Sequence, residues 1–496
     1  MENKAYKNLY PQGLPEDVEP LVDGFFSELE NHLLLPKRYS RAMMADFSAA
    51  LFYYLNSGVP LEDALHRLDP AKLGGFFSRP PMLWYPLDSA AKVYPLSMKR
   101  NSMAVFRLSA YFKEDIVPEI LQIALTFTIK RFPCFATTVK NGFFWHYLDA
   151  AKVRYSANPE TERPCAPLKV SASGSQAFRV LYYGRRLSVE FFHILTDGSG
   201  GMVFLATLAA EYQRLMGFEI PCQWPVLNID EAPPVSESAN GFELAEPSAT
   251  SKGFSDTPAV QMTGDLSAVK PYRIIHFEMN SETLRAAAKK RGASVTVYML
   301  SLMFAATGFA TDRRSGDVKI QVPVNLRKYY ASETLRNFSM YCSVRLPLLN
   351  ASDIEGNLPE IAAQLEKKSA KPVMNDMMNA AVSLVRSLRF IPLFVKRPVA
   401  RAIYGFLGDS VFSNTLSNLG VVTFPEELAE RVEKLDFVLG TAETNRASCA
   451  MVSFGDTAVF TVTKLTRDPT FEERLLFLMK AEGLDPAVKG SEPYES

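Results

Sequence analysis

Apolar positions in residues 1–80 recur with helical spacing. Val18, Leu21, Val22, Phe25, Phe26, Leu29 and Leu33 fall on one face. Pro15, followed by Glu16 and Asp17, suits a helix start. A second helix runs through Met43, Met44, Phe47, Leu51 and Leu55 and stops near Gly58; a short third follows Pro60, with Leu61, Leu65 and Leu68 inward. These faces need a surface to cover. They predict packing on a main body or, as the alternative, a partner-binding module.

The pattern changes at Pro80-Pro81. It predicts a strand over 103–108 and a helix over 116–130, then a hairpin of 135–139 and 143–148 about Asn141-Gly142. A second hairpin, 178–183 and 187–192 about Gly184-Arg185, leads into a helix over 199–216. Residues 226–270 are rich in Pro, Ser, Glu, Ala and Gly, with little to build a core, and predict an extended crossover or mobile segment. Beyond it come a strand at 272–279, a helix at 281–291 capped by Ser281 with Leu284 inward, and an apolar helix at 295–309. Strands at 318–324 and 338–346, helices at 354–370 and 373–388, and a basic apolar stretch at 390–407 follow. A strand at 412–419 closed by Gly420, three strands at 433–439, 447–454 and 457–464, and a helix at 470–482 complete the chain. Both halves mix helices and strands across a polar linker, which predicts an α/β (α+β) body of two similar lobes. The expected division is 1–80 helical extension, 81–225 first lobe, 226–270 crossover and 271–496 second lobe.

Composition narrows the partners. With 496 residues, 47% hydrophobic and 22% charged, the chain can bury a sizeable core. Lys+Arg and Asp+Glu stand at 54 each, so no global field attracts nucleic acid or an anionic surface. The five cysteines form no C-x-x-C pair, so their spacing offers no metal site, and a sparse odd count suits a reducing compartment. No signal-peptide core opens the chain, and no uncharged apolar run reaches the ~18 residues of a membrane span. These features predict a soluble cytoplasmic protein.

Candidate chemistry gathers at one of five histidines. His193 stands where an apolar strand becomes a loop, followed by Asp197-Gly198-Ser-Gly-Gly and a helix. A histidine at a strand end suits general-base work near neutral pH. Asp197 would orient it or anchor the turn. His146, His276, His32 and His66 read as hairpin, strand and extension residues. The glycines before the helix lack the Gly-Lys-Ser/Thr ending of a phosphate loop, and nothing sets Asp197 and Glu190 across a substrate as a glycosidase pair. In 386–407, Arg389, Lys396, Arg397 and Arg401 stand among Phe390, Ile391, Leu393, Phe394 and Val395. That stretch suits an ordinary helix pair with basic edges, a membrane-surface helix, or a site for coenzyme A phosphates.

His193-Ile-Leu-Thr-Asp197-Gly198 resembles the His-x-x-x-Asp-Gly motif of the chloramphenicol acetyltransferase-like superfamily. That superfamily includes alcohol acetyltransferases, plant BAHD acyltransferases, polyketide-associated acyltransferases and condensation domains. Pro323-Val-Asn-Leu-Arg327, Asn337-Phe338 and Ser417-Asn-Leu-Gly420 resemble its second-lobe segments in the right order. The resemblance covers about 82–485, is nearest to bacterial alcohol acetyltransferase-like and condensation-domain-like proteins, and leaves the extension outside. It implies a tunnel between two lobes, with His193 as the base that deprotonates an acceptor attacking an acyl thioester. It implies that Asp197 is architectural and pairs with Arg327, and that Gly198 keeps the turn or tunnel clear. Ser413, Asn414, Thr415, Ser417 and Asn418 are the candidates to line the tunnel or hold the oxyanion. Phe192 stands where condensation domains and wax ester synthases usually carry a first histidine, which points to a single-histidine acyltransferase. The implied reaction moves an acetyl or short acyl group from acyl-CoA to a hydroxyl of an alcohol or lipid-like acceptor, with no resident cofactor and no metal. Its rivals are carrier-protein-dependent transfer from acyl-phosphopantetheine to an amine or hydroxyl, and a non-catalytic ligand- or partner-binding member. Two lobes in one chain imply an internal site and a monomer; peripheral membrane contact stays open.

Overall fold

The structure is a computed structural model, and it describes residues 18–78, 84–92, 103–150, 153–168, 176–248, 257–396, 398, 411–441 and 445–494. The Pro80-Pro81 boundary, Arg397 and Arg401 lie outside these residues.

The extension forms three helices, α1 (Glu19–His32), α2 (Lys37–Asn56) and α3 (Leu61–Arg67). Their apolar faces join the first of two cores through Phe26, Phe47 and Tyr54, with the Phe47 and Phe127 rings 5.9 Å apart. Packing on the main body is therefore the observed arrangement. Leu21, expected inward, is exposed. Arg154 grips Asp46 of α2 through two nitrogens at 2.5 and 2.7 Å.

The first half continues with strands β1 (Trp84–Pro86) and β2 (Val105–Phe112) and helix α4 (Pro118–Thr128). Pro118 stands at the first turn of α4, where its missing N–H costs nothing, so the helix starts two residues later than its apolar pattern. Strands β3 (Thr137–Asn141), β4 (His146–Ala150), β5 (Ala157–Pro159), β6 (Phe178–Tyr183) and β7 (Arg186–Phe192) precede helix α5 (Gly198–Leu215). The β6–β7 turn is tight, with Tyr183 facing Arg186 and Gly184 at φ +51°, a conformation open to glycine. The β3–β4 loop is wider than a two-residue turn: Asn141 faces His146, and Phe143 and Phe144 stand at its tip.

The crossover is better built than its composition predicts. Phe242, Val260 and Met262 are buried in the second core. Glu237 binds Arg131 of the first half, and its carbonyl receives the Leu335 N–H at 2.8 Å. Few apolar residues suffice because polar groups of the neighbouring segments dock on this backbone.

The second half contains β8 (Arg273–Asn280), α6 (Ser281–Lys290), α7 (Val295–Phe309), β9 (Asp317–Asn325), β10 (Ser339–Pro347), α8 (Leu358–Ser369) and α9 (Lys371–Ser387). Asn280, not Ser281, caps α6, accepting from the Glu282 and Thr283 amides. Strands β11 (Asn414–Val422), β12 (Val432–Leu439), β13 (Ala447–Phe454) and β14 (Thr457–Lys464), helix α10 (Thr470–Ala481) and β15 (Ala487–Gly490) follow. β11 does not close at Gly420. It runs on to Val422 through an irregularity after Asn418, where Gly420 takes φ +74°.

A seven-stranded sheet has the order β10-β9-β11-β13-β14-β8-β15, and a five-stranded sheet the order β12-β2-β7-β6-β5. β12, from the second half, pairs antiparallel with β2 of the first. The chain thus crosses back to complete the sheet that carries His193 at the end of its central strand, β7. No single described helix is long and apolar enough to cross a membrane; the bent pair α6–α7 passes by composition, and α7 is core.

Candidate active site

β7 ends at Phe192, and the His193 N–H then donates to the Ala104 carbonyl at 2.8 Å. This bond extends the β2–β7 pairing by one step and fixes the histidine backbone. Its ring meets Phe106 edge-on, with centroids 5.3 Å apart. The residue is only partly exposed. Burial lowers its pKa below the ordinary value of 6.5, and the charge of Asp197 opposes that only in part. The ring is therefore neutral at neutral pH, the state that accepts a proton.

Asp197 is buried and fully committed. One carboxylate oxygen accepts the Ser199 and Gly200 amides at 3.1 Å each, capping α5. The other accepts Arg327 Nη1 at 2.8 Å and the Phe338 amide at 2.7 Å. Burial raises its pKa, but Arg327, the Phe338 and Gly200 amides and the Arg327 hydrogen bond outweigh it and hold the carboxyl below its usual range. The capped α5 amides already have their anion, so the glycines there form no phosphate cradle.

Arg327 follows β9 in a short 3-10 turn, where Asn325 accepts its N–H. Its remaining donors reach the Thr334 carbonyl at 2.9 and 2.7 Å and the Arg336 carbonyl at 2.6 Å. Arg327 thus ties Asp197 of the first half to the 334–338 segment of the second. Thr196 adds a bond from its hydroxyl to the Leu335 carbonyl at 2.6 Å, and Asn325 one to the Ser199 hydroxyl at 3.0 Å. Thr334 in turn donates to the Ala239 carbonyl at 2.7 Å, so the crossover braces the same junction.

Gly198 and Gly200 are required for different reasons. A Cβ on Gly198 would stand 2.6 Å from a Leu419 methyl of β11, the mobile end of a side chain. A Cβ on Gly200 would stand 2.1 Å from the Leu335 carbonyl oxygen and 2.3 Å from Thr196 Oγ1. Gly200→Ala therefore forces the two halves apart at their junction. We expect it to destabilise the fold by about 1–3 kcal/mol, read as a lower urea midpoint, with Gly198→Ala milder. Equal midpoints for the two variants would show that the close approach is not held.

β11 separates the five polar candidates by its pleat. Leu416 points into the second core, and Asn414 and Asn418 share its face. Asn414 Oδ1 accepts from Thr415 N and Cys449; Asn418 binds Thr296 at the start of α7. Ser413 accepts the Lys319 amide at 3.1 Å and is fully buried. Thr415, Ser417 and Leu419 take the opposite face, the one that reaches Gly198. Thr415 and its β9 neighbour Gln321 are hydrogen-bonded there at 3.2 Å. Asn337-Phe338 and the glycine run are legible as motif segments; Gln321 is the site neighbour that motif reading missed. Gln321 lies two residues before Pro323, and only strand pairing brings it to β11.

The remaining candidates have other partners. Glu190 is enclosed by Arg107, Arg179 and the Cys165 amide. His276 binds Thr461 at 2.9 Å. Among the described residues no three His, Cys, Asp or Glu side chains gather as metal ligands.

No protein-family model and no curated protein matches the sequence. Solved structures do match. TRI101 of F. sporotrichioides, in complex with coenzyme A and T-2, superposes with TM-score 0.57 at 11% identity over 82% of this chain and all of that one. Polyketide synthase associated protein 5 of Mycobacterium tuberculosis gives TM-score 0.55 at 13% identity, covering 79% of this chain and 96% of its own. The first condensation domain of the calcium-dependent antibiotic synthetase, in complex with a substrate analogue, gives 0.54 at 14%, covering 82% and 99%. The chain carries the two-lobed chloramphenicol acetyltransferase-like fold that these proteins share.

Proposed function

We propose that the protein is an acyltransferase that moves an acyl group from coenzyme A to a hydroxyl of an alcohol or lipid-like acceptor, with His193 as general base. The observation that carries this reading is the state of His193. It is backbone-anchored and partly exposed, burial pushes its pKa down, and it stands beside a loop locked to the other lobe. The fold shared with a coenzyme A complex supports the donor class.

In the proposed step, an imidazole nitrogen of His193 takes the acceptor's hydroxyl proton as the oxygen attacks the thioester carbonyl. The carbonyl π electrons move to oxygen, and the oxyanion is met by donors on the Thr415–Ser417 face of β11. Collapse of the intermediate breaks the C–S bond. The imidazolium returns its proton to the departing thiolate, leaving ester and free coenzyme A. Asp197 takes no proton; it holds the loop.

The test is thiol release from acyl-CoA donors of increasing chain length, with and without alcohols. We expect release that depends on the acceptor. Because burial disfavours the imidazolium, kcat/KM should rise with pH along an acid limb centred below 6.5 and then level off. Neither transfer nor thioester hydrolysis with any acyl-CoA would overturn the reading. Turnover only of a carrier-bound thioester would reassign the donor.

A further inference from the structure

Aromatic side chains usually retreat from water, and a contiguous exposed cluster of them marks an interaction site. One such cluster lies on the β3–β4 loop and the segment after α9. The β3–β4 loop presents Phe143 and Phe144, 68% and 38% exposed. A second segment, just after α9, presents Phe390 and Phe394, each 72% exposed, with Ile391 and Val395 beside them. The two segments are one surface. The Phe143 and Phe144 rings meet edge-on at 4.8 Å, Phe144 meets Phe390 at 6.4 Å, and the Leu393 N–H donates to the Phe143 carbonyl at 2.9 Å.

The surface is held from beneath. Lys396 is buried, with its ammonium 3.3 Å from the Trp145 ring centroid and donating to the Phe144 carbonyl at 2.8 Å. This clamp fixes the loop with Phe143 and Phe144 outward, so their exposure is built in. Lys396 itself does not face solvent, in contrast to a simple basic helix edge.

Charge selects the occupant. Residues 135–148 and 377–396 contain no Asp or Glu, while Arg386 and Arg389 are exposed, Arg389 lying 4.6 Å from the Phe390 centroid. Like charges oppose docking of this face on a second copy. Six large apolar side chains with arginines alongside fit the boundary between headgroups and acyl chains of an anionic bilayer. We propose that the Phe143–Phe144 loop and the Phe390–Val395 segment together dock the protein on anionic phospholipid membranes. This holds whatever reaction the His193 site performs.

The test is flotation of the full chain with phosphatidylcholine vesicles, alone or with about 30 mol% phosphatidylglycerol. We expect binding to the mixed vesicles that weakens with salt, and little to phosphatidylcholine alone. The pair Phe143→Ser with Phe390→Ser should lower partitioning about tenfold, since binding scales with the apolar area inserted. The pair Arg386→Ala with Arg389→Ala should lose the preference for anionic lipid. All these side chains are exposed, so both variants should melt as the wild type does and keep its thiol-release rate with a water-soluble acceptor. Failure of the wild type to float with the mixed vesicles would overturn the proposal, as would wild-type partitioning by the Phe variant. Concentration-dependent dimerisation, or capture of an acidic carrier protein, would also overturn it if removed by the Phe variant without vesicle binding.

Discussion

His193→Ala is expected to lose about two to four orders of magnitude in kcat, with KM for acyl-CoA little changed. The substitution removes the base and leaves its frame. The bond that fixes residue 193 comes from its backbone N–H to Ala104, which alanine keeps. All four donors to Asp197 belong to other residues. The ring's edge-on contact with Phe106 is lost, at a cost of about 0.5–1.5 kcal/mol by analogy with aromatic pairs, too little to unfold a chain with two extensive cores. A fall in activity at unchanged secondary structure and a nearly unchanged urea midpoint would thus report on chemistry. A variant that transfers acyl groups at the wild-type rate would end the general-base assignment. The pH profile gives a second, independent reading. If His193 is the base, the wild type's acid limb disappears in the residual activity of the variant.

Much of this frame is legible in the chain. Continuous apolar runs place α7, β13 and β14 at their observed bounds, because a largely buried helix and two core strands carry apolar residues on every face. Short edge strands such as β5 and β15 escape. β15 is exposed along its length, so it has no apolar face to read. The resemblance implies where His193 and Asp197 stand and that Asp197 pairs with Arg327, but not the further hold on the carboxylate. The Phe338 amide that holds the same oxygen lies more than a hundred residues away and reaches it only when β9 and β10 pair. The same holds for β12. Its sequence reads as a second-lobe strand, yet it completes the sheet of the first, since the edge of β2 would otherwise be unpaired. The crossover misled for a related reason. A polar composition says that a segment cannot make its own core, but its carbonyls at 237–239 still serve as acceptors for the 334–336 segment.

Asp197→Ala is expected to be the most damaging single change to stability, at about 3–5 kcal/mol, because it breaks one partner of a buried charge pair. Arg327, mostly buried, would keep its charge without a counter-ion; the amides of Ser199, Gly200 and Phe338 would lose their acceptor. Asp197→Asn separates these losses. An asparagine oxygen still caps α5, so this variant should lose less than alanine. Its NH2 would replace the oxygen that accepts from Arg327 and the Phe338 amide, so the charge pairing and both of those bonds are lost. Acid tests the same balance. The folded carboxyl titrates below its ordinary value of 3.8, so its contribution is complete above that value and disappears as pH falls through the lower, folded one. The gap in urea midpoint between wild type and Asp197→Asn should therefore be widest at neutral pH and close below about pH 4. Double substitution of Asp197 and Arg327 by apolar residues should recover part of the loss, since no unpaired charge remains. An Asp197→Ala midpoint equal to that of the wild type would mean that the lobes are held without this clasp. Thr196, Asn325 and the crossover contacts would then have to carry the junction alone.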